Sequence, residues 1–224
     1  MAGLTQAQHT IVSDAVAEAE LTTSGEIVAV LADKSDGYTD VALVWAAGLA
    51  FTAMSLFAWQ PGPFLDFWDS ITGGWRHEWT IGETATMTVA LGLVAFVIAM
   101  LLQLWDPLKF AFVPGPVKSA RVRDHAVRHF KVGAEKRTHG RTGVLIYVSM
   151  KEHRAEIVAD EPIAEKVPAE VWGEAMADML AEIRKDCVAE GIAAGVRDVG
   201  KVLSEHFPRG AEDINELPDR LIEL

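Results

Sequence analysis

Apolar and polar positions alternate in three distinct ways along this chain. Between Val41 and Ala58, and again between Ala85 and Leu104, no Asp, Glu, Lys, Arg or His interrupts the apolar run. Each run approaches the roughly 20 residues a helix needs to cross the hydrocarbon core of a bilayer. Backbone in lipid must satisfy its own hydrogen bonds, which selects helix. Ala42, Ala46, Ala47, Ala50 and Ala53 favour helix over strand in the first run. Trp59 and Trp105 stand at run ends, where amphipathic rings prefer the headgroup zone. The pattern predicts a two-helix transmembrane hairpin; the alternative is a buried helix pair in a soluble protein.

The flanking segments carry shorter periods. Thr5 to Gln8 form a capping box. Ile11, Val12, Ala15, Val16 and Ala19 then recur at helical spacing, with Asp14, Glu18 and Glu20 assigned to solvated positions. Glu26 to Leu31 is a short, continuously apolar run that reads as a strand covered on both faces. Beyond the hairpin, a helix is predicted over Val117 to Arg137, with Val122, Ala126, Phe130 and Ala134 on one stripe. Val144 to Ser149 and Ala155 to Ala159 read as two strands of a β-hairpin. A short helix is expected over Ile163 to Val167, and another opens near Pro168 with Val171, Ala175, Met179 and Ile183 inward. Gly191 is expected to interrupt it before a last helix carrying Ile192, Val196, Val199, Leu203 and Phe207. The first helix and strand cannot build a core alone. The prediction is one α/β domain interrupted by the hairpin: residues 1–37, insert 38–106, and remainder 107–224.

Charge places these parts. The formal net charge of −12 argues against nucleic-acid binding, and without a Walker loop or a Gly-x-Gly-x-x-Gly motif nucleotide binding has no support. The loop Gln60 to Glu83 holds Arg76 against Asp66, Asp69, Glu78 and Glu83, whereas Lys109, Lys118, Arg121 and Arg123 follow the second run. Short-loop basic residues prefer the cytoplasm. The expectation is a multi-pass membrane protein with both termini cytoplasmic. The polar, acidic stretch Gly3 to Glu20 does not read as a signal peptide. Phe64 to Ile71 predicts an interfacial helix, and Trp68, Trp75 and Trp79 read as membrane anchors or as an external binding surface. Cys187 is the single cysteine and excludes an intrachain disulfide.

Arg141 to Asp160 (RTGVLIYVSMKEHRAEIVAD) resembles the signature of the TPM-domain family. Ser24 to Val28 resembles that family's early strand motif. Trp172 and its helix, His206-Phe207-Pro208, and Asn215 to Asp219 are similar to its membrane-anchored bacterial subgroup. The resemblance implies an α/β/α sandwich around a small sheet, and a bacterial inner membrane as the location. For function it implies calcium binding or weak acid phosphatase activity in some members, and accessory roles beside membrane proteins in others. Where the family commonly has Gly after Asp160, this chain has Glu161-Pro162.

Candidate chemistry follows from the carboxylates. Glu26 begins one expected strand, Asp33 follows its end, and Asp160 ends another beside Glu161. Converging carboxylates would suit calcium or magnesium, and a metal-dependent phosphatase could use such an ion to polarise phosphate. The alternative is that these acids cap turns. Arg141 and Thr142 could hold an anion or orient their loop. Ser149, Glu152 and His153 lie together in sequence, but Ser149 lacks the strand-to-helix turn of a nucleophile elbow. His125 and His129 have zinc-pair spacing, with Ala126 where a metalloprotease motif needs Glu. The sequence therefore predicts a membrane-anchored binding or accessory module for a membrane-protein partner or divalent ion, with the phosphatase as the alternative.

Overall fold

Helix α1 (Gln6–Glu20) begins at the capping box, with Thr5 N donating to the Gln8 side chain at 2.9 Å. Strand β1 (Glu26–Ala32) follows. The chain then forms α2 (Thr39–Trp59), α3 (Gly62–Thr72), α4 (Ile81–Leu102) and α5 (Asp106–Phe112). After these come α6 (Gly115–Gly133), β2 (Gly143–Ser149), β3 (Arg154–Ala159), α7 (Glu161–Lys166), α8 (Val171–Ile183), α9 (Val188–His206) and β4 (Ile222–Glu223). This computed structural model describes residues 3–73, 78–133, 142–168, 170–210 and 219–224. Trp75, Arg76, Ala134 to Arg141, and the tail from Ala211 to Pro218 lie outside the described residues.

Two units emerge: residues 1–36 with 115–224, and residues 37–114. In the first unit the sheet order is β3-β2-β1-β4. Strand β2 runs parallel to β1, from Glu26 opposite Gly143 to Ala32 opposite Ser149. Strand β3 is antiparallel to β2, closing the expected hairpin. Strand β4 adds a fourth, parallel strand through Val30–Ile222 and Leu31–Glu223. The sequence reading had no fourth strand, because two residues in an acidic tail carry no period.

The continuous apolarity of β1 and β2 has the expected cause. Ile27, Ala29, Val144, Ile146 and Val148 enter a core shared with α1, α8 and α9. Val30, Ala32, Leu145 and Tyr147 face Val122, Ala126 and Phe130 of α6 on the other side. The unit is an α/β/α sandwich. Gly191 does not interrupt a helix but lies inside α9; the break falls before it, where Asp186 takes φ 62°. A Cβ at Gly191 would stand 2.8 Å from the Met179 carbonyl oxygen, so glycine is what lets α8 and α9 approach.

In the second unit α2 and α4 pack together. The Gln103 amide donates to the Ala42 and Ala99 carbonyls, each at 3.1 Å, and Gly92 admits the Met54 thioether. Small residues and polar bridges are the means by which helices associate in lipid. Val44, Phe51, Leu93 and Val97 remain exposed. Both helices are long and apolar enough to cross a membrane, and little of either is buried. The boundary expected after Asp106 falls at Pro114 instead. Helix α5 folds with the hairpin: Trp45 Nε1 donates to the Phe112 carbonyl at 3.1 Å, and Phe110 meets Tyr38 edge-on.

Candidate functional site

The parallel register of β1 and β2 fixes where the candidate carboxylates stand. Glu26 begins β1, and Asp33 follows its last residue. Seven residues of strand set the two ends roughly 20 Å apart. Asp160 follows β3, whose antiparallel course returns it to the Glu26 end, with β2 between them. Glu26 and Asp160 thus share one end of the sheet and Asp33 stands at the other. Calcium ligands lie about 2.3–2.6 Å from their ion, so one ion does not fit all three residues. Among the described residues, no three His, Cys, Asp or Glu side chains are grouped as metal ligands.

At the Glu26 end the acids hold backbone. Asp160 Oδ2 accepts from Gly143 N at 3.0 Å, while Asp160 N donates to the Gly143 carbonyl at 2.9 Å. The side chain thereby replaces a missing strand residue at the hairpin's open end. Glu20 was expected in solvent but is buried. Its Oε1 accepts from Ile27 N at 2.9 Å, serving an amide beyond the reach of the short β4. Burial pushes the Glu20 carboxyl up to about 8; the Ile27 hydrogen bond opposes this, and Glu26 and Asp219 reinforce it. This favours the protonated carboxyl at neutral pH. Thr142 orients its loop, its hydroxyl donating to the Ser24 carbonyl at 2.9 Å. Arg141 lies outside the described residues.

The opposite end, at the carboxyl ends of the parallel strands, is where open α/β sheets tend to take ligands. Here Ser35, Tyr147, Ser149 and Glu152 are buried together. The Ser149 hydroxyl donates to Glu152, and Ser35 Oγ donates to Ser149 Oγ at 3.0 Å. The Ser35 hydroxyl proton is thus committed, so Tyr147 donates to Ser35 across 3.1 Å. Ser35 N also donates to Glu152 Oε1 at 2.9 Å. Burial raises the Tyr147 phenol, eased by Ser35 and reinforced by Glu152. This relay locks the loop after β1 to the loop after β2. It also settles the role of Ser149, whose proton goes to Glu152, while His153 takes φ 52° in the hairpin turn.

Asp33 pairs with Lys151 at 2.9 Å and borders a pocket of about 270 Å³ with Leu31, Met150, Val188 and Leu224. Helix α6 adds His125 and His129 above the Tyr147 ring, with centroid separations of 6.5 and 6.0 Å. Sequence reasoning missed the Ser35–Tyr147–Ser149–Glu152 assembly. Its only trace in sequence is the polar ending of an otherwise apolar strand.

The matched family is described as the TPM domain, over residues 116–202, from α6 into α9. Residues 116–202 carry the TPM-domain match. The structure adds α1 and β1, which precede the matched residues, to the same unit as the TPM-matched segment. A solved structure of similar fold is the NMR structure of the BA42 protein from the psychrophilic bacterium Bizionia argentinensis. The similarity covers 99% of this chain and 95% of that one, at 18% identity and a TM-score of 0.56. Among curated proteins, none matches in sequence. The TPM fold is therefore held at both sheet ends by buried carboxyls that bind its own backbone.

Proposed function

We propose that this TPM-domain protein is a membrane-anchored accessory module of a bacterial inner membrane that binds a membrane-protein partner rather than turning over a substrate. The observation that carries the reading is the use made of its buried acids. Asp160, Glu20 and Glu152 each accept from main-chain N–H groups, at Gly143, Ile27 and Ser35. A hydrolytic centre needs carboxylates left over for metal, water or substrate. The exposed apolar faces of α2 and α4 favour a bilayer as surroundings.

Topology supports the cytoplasmic assignment. Strands β1 and β2 precede and follow the hairpin yet pair along seven residues, so both flanks lie on one side of any membrane it enters. The basic residues Lys109, Lys118, Arg121 and Arg123 favour the cytoplasm for that side. Calcium or magnesium is retained as a second ligand class, with Glu26 and Asp160 as hard oxygen donors at their common end and Asp33 separate from them.

Two measurements test the proposal. Reporter fusions after Gly73 and at the C-terminus should place the first outside and the second in the cytoplasm. Release of p-nitrophenol from p-nitrophenyl phosphate, with calcium or magnesium, should be equally negligible for the native chain and for Asp160→Asn. That variant keeps the acceptor for Gly143 N. Turnover by the native chain that Asp160→Asn abolishes would replace the accessory reading with the phosphatase one, and a cytoplasmic Gly73 reporter would overturn the topology.

A further inference from the structure

The relay and the carboxyls account for the buried polar groups of the sheet, but not for the two histidines of α6. We propose that His125 and His129 form a transition-metal site for a borderline divalent ion such as zinc, nickel, copper or cobalt. The site is distinct from the carboxylate positions, whose hard oxygens suit calcium or magnesium.

Three observations converge on it. First, one helical turn sets the two imidazoles side by side, with ring centroids 5.5 Å apart and planes at 47°. Metal–nitrogen bonds of about 2.0–2.1 Å, with about 1.1 Å from nitrogen to ring centre, place two imidazoles on a tetrahedral ion about 5.2 Å apart. The observed separation lies within a few tenths of an ångström of that value.

Second, His125 Nδ1 is buried and has no hydrogen-bond partner. A buried imidazole nitrogen is ordinarily paired. Here the ring is uncommitted, and a flip about χ2 presents either nitrogen to a ligand. Third, His129 lies stacked on Tyr147, at 6.0 Å and 23°. The phenol beneath it is itself anchored to Ser35. The platform on which the pair rests is therefore rigid, and rigidity of the supporting shell is what orients metal ligands.

Two protein ligands leave two tetrahedral positions for water or for a donor atom of an incoming molecule. No acceptor backs His125 Nδ1, so the site belongs to the micromolar, exchangeable kind rather than to closed structural zinc. Glu156 on β3 does not complete it, being paired with Arg123 at 3.8 Å.

The test uses the untagged full-length chain in detergent micelles, titrated with cobalt(II) chloride and read by its visible d–d absorption. Zinc chloride then competes for the same ion-binding site. One equivalent of cobalt is expected to bind with a micromolar Kd and to be displaced by zinc. His125→Asn and His129→Asn should each weaken binding at least tenfold, and the double variant should bind no more weakly than the single ones, because chelation needs both rings. His206→Asn, remote in sequence, should bind as the native chain does. Thermal melts guard against misfolding: zinc should raise Tm for the native chain by a few degrees and leave both single variants unmoved. Tight cobalt binding that survives in the double variant, or no native binding beyond the double variant's level, would overturn the proposal.

Discussion

Replacing Glu20 by glutamine tests whether a protonated acid is part of this fold. The carboxyl is buried, accepts from Ile27 N, and has its pKa pushed up to about 8 from 4.5 in an unfolded chain. Between those values the folded chain holds a proton that the unfolded chain has lost. Stability therefore falls as pH rises through this window, by about 1.4 kcal/mol per pH unit, to a ceiling near 5 kcal/mol above pH 8. Below 4.5 both states are protonated and the effect vanishes. Glutamine keeps the acceptor for Ile27 and offers N–H where the acid offers O–H. Glu20→Gln should match the native chain within about 1 kcal/mol at pH 5 and exceed it by about 3–5 kcal/mol at pH 9. Urea unfolding followed by circular dichroism in micelles reads the difference, because α2 and α4 persist in detergent while the sheet-bearing unit unfolds. Groups remote from position 20 titrate equally in both chains, so the difference between them isolates Glu20 and its neighbours Glu26 and Asp219. Parallel pH profiles for the two chains, or a less stable Glu20→Gln at pH 9, would refute the reasoning.

Two further substitutions probe the packing and the relay. Gly191→Val places side-chain atoms against the Met179 carbonyl and Ile183; it should cost roughly 1–3 kcal/mol by overpacking, seen as a lower urea midpoint, and a neutral result would mean α8 and α9 are not held as described. Glu152→Ala strips acceptors from Ser35 N and the Ser149 hydroxyl. With two buried donors orphaned, a loss of about 2–4 kcal/mol is expected, with faster amide exchange at Ser35, and unchanged exchange there would show the relay to be dispensable.

Much of this is legible in the sequence. The charge-free runs gave α2 and α4 because lipid-compatible helices require length and apolarity together. The unbroken apolarity of Val144 to Val148 announced a strand with helices on both faces. Glu20 was misread for an instructive reason. It falls four residues after Val16, on the buried stripe of α1, but its charge outweighed its position. The Ser35–Glu152 bond had no sequence signal, because it joins residues 117 apart and depends on the β1–β2 register. That register likewise separates Asp33 from Glu26 and Asp160, which sequence order alone could not do. The edge strand β4 was invisible because pairing with β1, not its own composition, makes it a strand.

Strand β1 leaves the ribosome early, and its partner Gly143–Ser149 arrives only after the hairpin has been made. At about 5–20 residues per second, the nascent β1 waits on the order of ten seconds with its hydrogen-bonding edge bare. On the proposed membrane reading, insertion comes first and sheet closure second. A chain whose hairpin stalls would therefore present an unsatisfied strand to whatever quality-control machinery stands at the membrane.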